Sequence, residues 1–440
     1  MLCERRSSFS SGTMLAIHPP LKQLALLLLL LLCSASMLIY WSHLPQTDPV
    51  GMNDPGLIKA RALTDLYPRW YGAREVLLHH RDPYSTDVTR EIQSAYGGRE
   101  QRFNYPLYVI FFLAPTVWIS FQSAHIVFWW LLTTVTVLAL ALWLSVIPLR
   151  FSLLAWVTLL AMVLSSVPVL QGLNLLQFGL LVAGLLTGAV AALAARHFFL
   201  AGVLLALATI KPPMSLLAIS WFMVWMSGDW RRRRPLLWGF AATLAVLILA
   251  SEYLVPGWTL RYPGVLAAYA KHSDATPLMS VFLPQLLCWP VAIGGLLATA
   301  LFCWKVRRQA ASSTHFILAF TFVSTLTVTI IPTALSPYNH LLLLPAVPLI
   351  LHHWRELWSR SFPSRIVISL LAGLAILPWL LALVVTAGWL MSMRSWLANF
   401  RLAPLYASLL LPFAALGFLL LVSSTLPPAP RSLASRNPNT

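Results

Sequence analysis

The chain of 440 residues has a formal net charge of +17; 59% of its residues are hydrophobic and only 10% are charged. Soluble globular proteins contain roughly 25% charged residues, so this composition excludes a soluble protein and indicates an integral membrane protein. Nucleic-acid binding is not expected either, because the basic clusters lie between or beyond hydrophobic segments, as in a polytopic protein.

A membrane-spanning helix needs about 20 apolar residues, and the sequence offers thirteen candidate segments. In chain order they are 22–41, 104–121, 123–147, 150–170, 175–195, 198–210, 212–227, 235–254, 280–304, 314–335, 338–353, 366–390 and 405–424. This pattern predicts a single all-α polytopic membrane domain over 1–440, with about 12 or 13 transmembrane helices. Segment 104–121 contains Pro106 and Pro115, so it is expected to be re-entrant or partial.

Basic clusters between the segments orient the chain. If Arg231–Arg234 are cytoplasmic, the later clusters also fall inside, and 425–440 becomes a short, flexible cytoplasmic tail. The same count predicts that 42–103 is an outer loop with interfacial helices. This loop contains eight of the 13 acidic residues, together with eight basic residues.

The stretch TDLYPRWYGAREVLLHHRDPY at 64–84 predicts an amphipathic helix with aromatic side chains on its apolar side. Asp65 stands at its start, where a carboxylate commonly caps a helix. Arg74 falls within the apolar arc, which indicates either an ion pair inside the loop or a bound anion.

Several short motifs resemble glycosyltransferase family 87, a group of membrane mannosyltransferase-like enzymes of the GT-C superfamily. They are the spacing of Asp65, Tyr71, Ala73 and Leu77, then DPY at 82–84, FNYP at 103–106, QGLN at 171–174, IKPP at 210–213 and SPYNH at 336–340. The chain departs from the family where it has Tyr105-Pro106-Leu107 in place of YPP. It departs again at 171–174, where the family usually has GQxN.

The resemblance implies a GT-C-type fold and a sugar transferred from a polyprenyl phosphate, with mannose as the expected hexose. Asp65 then matches the aspartate that serves as general base, and inversion needs only one such carboxylate. Lys211, Arg69 and Arg74 are candidates for binding the donor phosphate. For Lys211 the alternative is a lysine that extends to the membrane interface.

Candidates for binding the sugar or the acceptor are Asn174, Gln171, Gln177, His340, Asn339, Tyr71 and Tyr105. Asn174 and Gln177 are expected to share one helix face, although amides also join transmembrane helices. His340 has a structural alternative at the start of a helix. The topology count places Asp65, Asn174, Lys211 and His340 on the outer side, which favours a shared site.

The expected partners are a polyprenyl-phosphate-linked sugar, the bilayer and a glycan or glycolipid acceptor, with no nucleic acid. The expected location is the bacterial inner membrane, with the site facing the periplasm or exterior. No cofactor is implied, and no metal-binding constellation is visible, so catalysis is expected to be metal-independent. Two alternatives stay open: a lipid or solute transporter or flippase, and an inactive relative that serves as an assembly partner in envelope-glycan synthesis.

Overall fold

A computed structural model describes residues 21–44, 63–98, 100–149, 151–272, 276–331, 336–391 and 400–427. The helices, in chain order, are α1 Leu21–His43, α2 Leu66–His79, α3 Thr86–Ala95, α4 Leu107–Thr116, α5 Phe121–Val146, α6 Leu153–Leu164, α7 Val167–Asn174, α8 Phe178–Ala194, α9 Phe198–Ala208, α10 Pro212–Ser227, α11 Trp230–Leu254, α12 Trp258–His272, α13 Met279–Phe282, α14 Gln285–Val306, α15 Thr314–Ile330, α16 Ala346–His352, α17 Trp354–Trp358, α18 Phe362–Leu390 and α19 Ala403–Ser423. A 3₁₀ segment, Pro337–Leu343, precedes α16. Part of the predicted outer loop, 45–62, and most of the predicted tail, 428–440, lie outside the described residues.

Six helices within the described ranges are long and apolar enough to span a membrane, namely α1, α5, α11, α14, α18 and α19. Helices α6 and α7 together form a seventh candidate that is bent by 53°. The prediction of an all-α polytopic protein is therefore confirmed. The thirteen predicted segments all contain helix, but several helices have 17 residues or fewer. Hydropathy registers apolar residues without registering the turns that interrupt them, so it predicts more full spans than these helix lengths support.

Helix α8 is the central helix of the bundle, and most of its side chains are buried. It packs against α5, α9 and the 3₁₀ segment. Small residues allow this close packing, as is usual between membrane helices: a Cβ at Gly184 would overlap Val135 on α5. Glycines also bring α9 and α11 together, because a Cβ at Gly202 or Gly239 would overlap the backbone of the opposite helix. The start of α8 is thereby held at a fixed point within the bundle.

The predicted helix after Asp65 is present as α2, and it packs against α3, α4 and α5. The polar side of α2 is not exposed to solvent throughout. Gly72 and Glu75 on that side are buried, as are Leu66 and Ala73 on the apolar side. A Cβ at Gly72 would overlap the ring of Phe103. Helix α2 is therefore enclosed by protein on both arcs, which an isolated amphipathic helix would not be.

Ion pairs close the hairpin between α2 and α3. Arg81 donates to Glu75 at 2.8 Å and to Glu91 at 2.7 Å, and the hydroxyl of Tyr71 donates to Glu91 at 2.7 Å. Asp82 accepts from Arg261 at the start of α12. Several of the acidic residues that the sequence gathers in this region therefore hold the hairpin together.

Replacing Arg81 by Ala should destabilise the protein, because the side chain of Glu75 is only 5% exposed and would lose its nearest cation. The expected measurement is a lower melting temperature in detergent. Arg90→Ala is the matched control. The side chains of Arg90 and its ion-pair partner Asp87 are 78% and 72% exposed, and exposed ion pairs contribute little to stability. An equal change in both variants would contradict the prediction.

Candidate active site

Four polar side chains from different parts of the sequence meet in one cluster. Gln177 Nε2 donates to Asp65 Oδ2, while Gln177 Oε1 accepts from Lys211 Nζ at 3.4 Å. Lys211 Nζ also donates to Asn339 Oδ1 at 3.0 Å. One amide thus lies between the carboxylate and the ammonium group. Its orientation is consistent with its partners, because the NH₂ group can only donate and the oxygen can only accept.

The backbone explains why these side chains meet. Asp65, Gln177 and Lys211 are the residues that directly precede α2, α8 and α10. Before Gln177, the chain turns through Leu176 in a left-handed conformation, and Gln177 N donates to Gly172 O at 2.8 Å. This is a Schellman ending of α7. After Lys211, Pro212 and Pro213 begin α10, a position that prolines favour.

Asp65 occupies the N-cap position of α2, but its side chain makes no capping hydrogen bond. The hydroxyl of Thr64 has no hydrogen-bond partner either. The capping interpretation of Asp65 is therefore not supported, since its carboxylate instead accepts from Gln177, directly before α8. This contact joins residues 112 positions apart in the chain.

Two cations lie beside the carboxylate. The guanidinium of Arg69, one turn after Asp65, stands over the ring of Tyr105 at 4.5 Å. The ammonium of Lys211 stands over the ring of Tyr338 at 4.6 Å. Lys211 occupies the turn between α9 and α10; its burial, together with the charge of Arg69, lowers its pKa to about 7, while Asp65 acts in the opposite direction.

Two buried donors at the cluster have no hydrogen-bond partner, Arg69 Nε and Asn339 Nδ2. Leaving a buried donor unpaired costs free energy. The starts of α8 and α10 also carry partial positive charge, which favours an anion near them. Cations, unpaired donors and helix starts together make this a suitable site for an anionic group such as a phosphate.

Of the other predicted residues, Tyr105 and Gln171 belong to the surroundings of the cluster. The ring of Tyr105 lies under Arg69 and packs against Phe178. Gln171 Oε1 accepts from Tyr338 N at 3.1 Å, which fixes the turn that carries Asn339. Asn174 is exposed at the end of α7. The expectation that Asn174 and Gln177 share one helix face is wrong, because the turn at Leu176 separates α7 from α8.

Arg74, Tyr71 and His340 are not brought to the cluster. Arg74 lies nine residues after Asp65, on the opposite side of α2, and its guanidinium stands over Trp70 at 5.5 Å. Tyr71 bonds to Glu91 on the hairpin. His340 is buried, and its polar neighbour is the backbone of Ser408.

Two residues at the cluster, Tyr338 and Gly179, were not predicted from the sequence. Tyr338 lies within the SPYNH motif, beside Asn339, so the motif itself was the available signal. Nothing in the sequence around Gly179 indicated that this residue lies at the cluster. A Cβ added there would stand 3.1 Å from Asn339 Oδ1 and 3.4 Å from Lys211 Nζ, so this glycine leaves room for the contact between them.

The fold and the cluster define a class: a polytopic helical membrane protein with one carboxylate and two cations at the starts of adjacent helices. The family model for glycosyltransferase family 87 matches residues 103–337, just over half of the chain. The chain therefore belongs to glycosyltransferase family 87, a GT-C-type family, and is a membrane glycosyltransferase. The match contains Gln177 and Lys211, whereas Asp65 precedes it and Asn339 follows it. Neither a curated protein nor a solved structure matches the chain.

Proposed function

We propose that this glycosyltransferase moves a hexose, mannose by family resemblance, from a polyprenyl phosphate to a hydroxyl group of an envelope glycan or glycolipid. The observation that carries the proposal is the connection of Asp65 to Lys211 through the single amide of Gln177. It supplies a proton acceptor and a cation within one small site, and these are the two groups that such a transfer needs.

In the proposed reaction Asp65 accepts the proton of the acceptor hydroxyl as the hydroxyl oxygen attacks C1 of the sugar. The bond between C1 and the phosphate oxygen breaks, and the electron pair leaves with the phosphate. Lys211 and Arg69 stabilise the charge that develops on this leaving group. Attack and departure occur on opposite faces of C1, so the transfer inverts the anomeric configuration.

The cluster also has an apolar neighbour that suits the lipid part of such a donor. A small pocket, with room for about one water molecule, adjoins Asn339. Its other walls are Pro213, Met214, Thr327, Val328, Ile331 and Leu342. We propose that the isoprene unit nearest the phosphate packs against these apolar side chains as the pocket widens around the donor, since an apolar wall beside cations matches the two ends of a lipid phosphate.

The position of the basic residues supports an outward-facing site. Lys211 precedes α10, whereas Arg231–Arg234 follow its end, and a helix of 16 residues is about 24 Å long. The candidate site and this basic cluster therefore lie at opposite ends of α10. With the cluster in the cytoplasm, the site would face the periplasm or exterior of a bacterial inner membrane.

Donor binding tests this proposal without requiring a known acceptor. Purified protein in lipid nanodiscs would be incubated with polyprenyl-phosphate mannose, with the corresponding polyprenyl alcohol, or with GDP-mannose. Saturable binding of the lipid-phosphate sugar alone is expected, because both the phosphate and the isoprenoid contribute. Binding of GDP-mannose in preference to the lipid donor would contradict the proposal.

Gly179→Ala should raise the KM for the donor several-fold while leaving the fold intact, because the added methyl group would press on the Lys211–Asn339 contact. Gly188→Ala on the same helix is the matched control, since its closest neighbour is the flexible end of Leu204 at 3.3 Å. Equal KM values for both variants would show that the crowding at Gly179 is without effect on the site.

A further inference from the structure

Two basic turns that are far apart in the sequence form one surface at the opposite end of the molecule from the candidate site. We call it the basic patch: Arg231, Arg232, Arg234, Lys305, Arg307 and Arg308. Five of these side chains are exposed, and Arg307 is half-buried. The first three residues lie in the first turns of α11, and Lys305 lies in the last turn of α14. The patch therefore stands at the ends of two helices that are long enough to span a membrane.

The two turns are held together by Arg233, which is buried in contrast to its neighbours in the chain. Its guanidinium donates to Arg307 O at 2.7 Å, to Gln309 O at 3.0 Å and to Trp225 O at 2.5 Å. It also stacks over Trp225 at 3.7 Å. Gly228 allows the approach, since a Cβ there would overlap Arg307 O. The patch is thus built by specific contacts between the two turns.

Tryptophan side chains border the patch. Trp230, Trp238 and Trp304 are 49%, 62% and 54% exposed. Trp238 shares a helix face with Arg231 and Arg234, because the three residues recur at helical spacing. The guanidinium of Arg307 lies over the ring of Trp304 at 3.7 Å. Exposed tryptophans at the end of a spanning helix are typical of the level of the lipid headgroups.

We propose that the basic patch binds the headgroups of anionic phospholipids in the leaflet that it borders. Charge complementarity carries the proposal: six cations stand together, and Asp229 is the only acidic residue within ten positions of any of them in the sequence. Clusters of four to eight basic residues directly beside a spanning helix attract anionic lipids. The bordering tryptophans favour a lipid over a soluble anion, because they place the cations at the headgroup level. This inference concerns a different surface from the proposed active site, so it stands independently of the proposed function.

The test compares lipid retention by three forms of the full-length protein. Wild type, Arg231→Gln/Arg232→Gln/Arg234→Gln and the charge-retaining Arg231→Lys/Arg232→Lys/Arg234→Lys would be reconstituted in equal mixtures of phosphatidylglycerol and phosphatidylcholine. After mild delipidation in detergent, native mass spectrometry would count the phospholipids that remain bound. Arg233 is unchanged in every variant, so that the contacts joining the two turns persist.

Wild type is expected to retain phosphatidylglycerol in preference to phosphatidylcholine. Loss of three charges in the glutamine variant should lower the protein's apparent affinity for phosphatidylglycerol at least about tenfold, whereas the lysine variant should retain most of the wild-type affinity. Melting temperatures in detergent without lipid would establish that all three forms are folded. Equal retention of phosphatidylglycerol by wild type and the glutamine variant would overturn the proposal and favour a soluble acidic partner as the ligand of the patch.

Discussion

Asp65→Asn is expected to lower the rate of sugar transfer about 10²–10⁴-fold, the usual contribution of a positioned general base. The amide oxygen of asparagine can still accept the hydrogen bond from Gln177, so the contact between α2 and α8 should persist. The loss should therefore appear in kcat, with little change in the KM for the donor. Steady-state kinetics with a labelled lipid-phosphate donor would measure it.

Asp87→Asn is the matched control for Asp65→Asn, because Asp87 is an exposed carboxylate in the first turn of α3. Its transfer rate should equal that of wild type. If a folded Asp65→Asn variant retained the wild-type kcat, Asp65 would not be the base, and its contact with Gln177 would be structural.

Lys211→Gln should lower kcat/KM about 10²–10³-fold, which is the typical effect of removing one group that stabilises developing charge. Glutamine can donate a hydrogen bond to Asn339 but carries no charge. Lys305→Gln is the control, since Lys305 is exposed at the end of α14. Retention of full activity by Lys211→Gln would remove Lys211 from the proposed mechanism.

The same lysine predicts a pH dependence. Burial and the charge of Arg69 lower the pKa of Lys211 to about 7, so in the empty site its ammonium form is lost as the pH rises through that value. The donor KM should therefore increase above about pH 7. Because a bound phosphate stabilises the ammonium form, kcat should fall only at higher pH. Lys211→Arg should abolish the rise in KM, since arginine stays protonated; identical pH profiles for the two proteins would contradict this assignment.

The principal members of the candidate site were predictable because polar residues are scarce in this chain. Asp65 and Lys211 are conspicuous among apolar segments, and Asn339 lies in a recognisable proline turn. Each of them also lies at or near the beginning of a helical element, where a side chain can extend beyond the end of the helix. Proximity of these helix starts in space is a property of the tertiary fold, and the contacts of Gln177 and Lys211 reveal it.

Other features lay beyond sequence reasoning for physical reasons. A helical wheel separates two sides of α2, but it does not say which side faces α8; Arg74 and Tyr71 therefore could not be assigned in advance. The left-handed Leu176 is a non-glycine residue in a conformation that costs about 1 kcal/mol or more. Tertiary packing, which the local sequence does not report, is what maintains it.

The membrane topology was likewise predicted only in part from the sequence. Apolar composition correctly predicted a polytopic α-helical protein, and Pro106 and Pro115 favoured a re-entrant or partial segment at 104–121. In the structure this segment is the short helix α4, Leu107–Thr116, which covers α2. The bend between α6 and α7 also has a proline signal, because Ser165 and Ser166 are followed by Pro168 in the first turn of α7, although this signal was not used to predict the bend.

Transfer of the sugar itself tests the central claim most directly. Purified wild-type protein in lipid would be incubated with radiolabelled polyprenyl-phosphate mannose and a crude extract of envelope glycolipids, and the products would be separated by chromatography. We expect label to move to a glycolipid with inversion at C1 in the wild-type protein and not in Asp65→Asn. Absence of transfer by wild type, together with absence of specific donor binding, would contradict the account and favour a transporter or an assembly role.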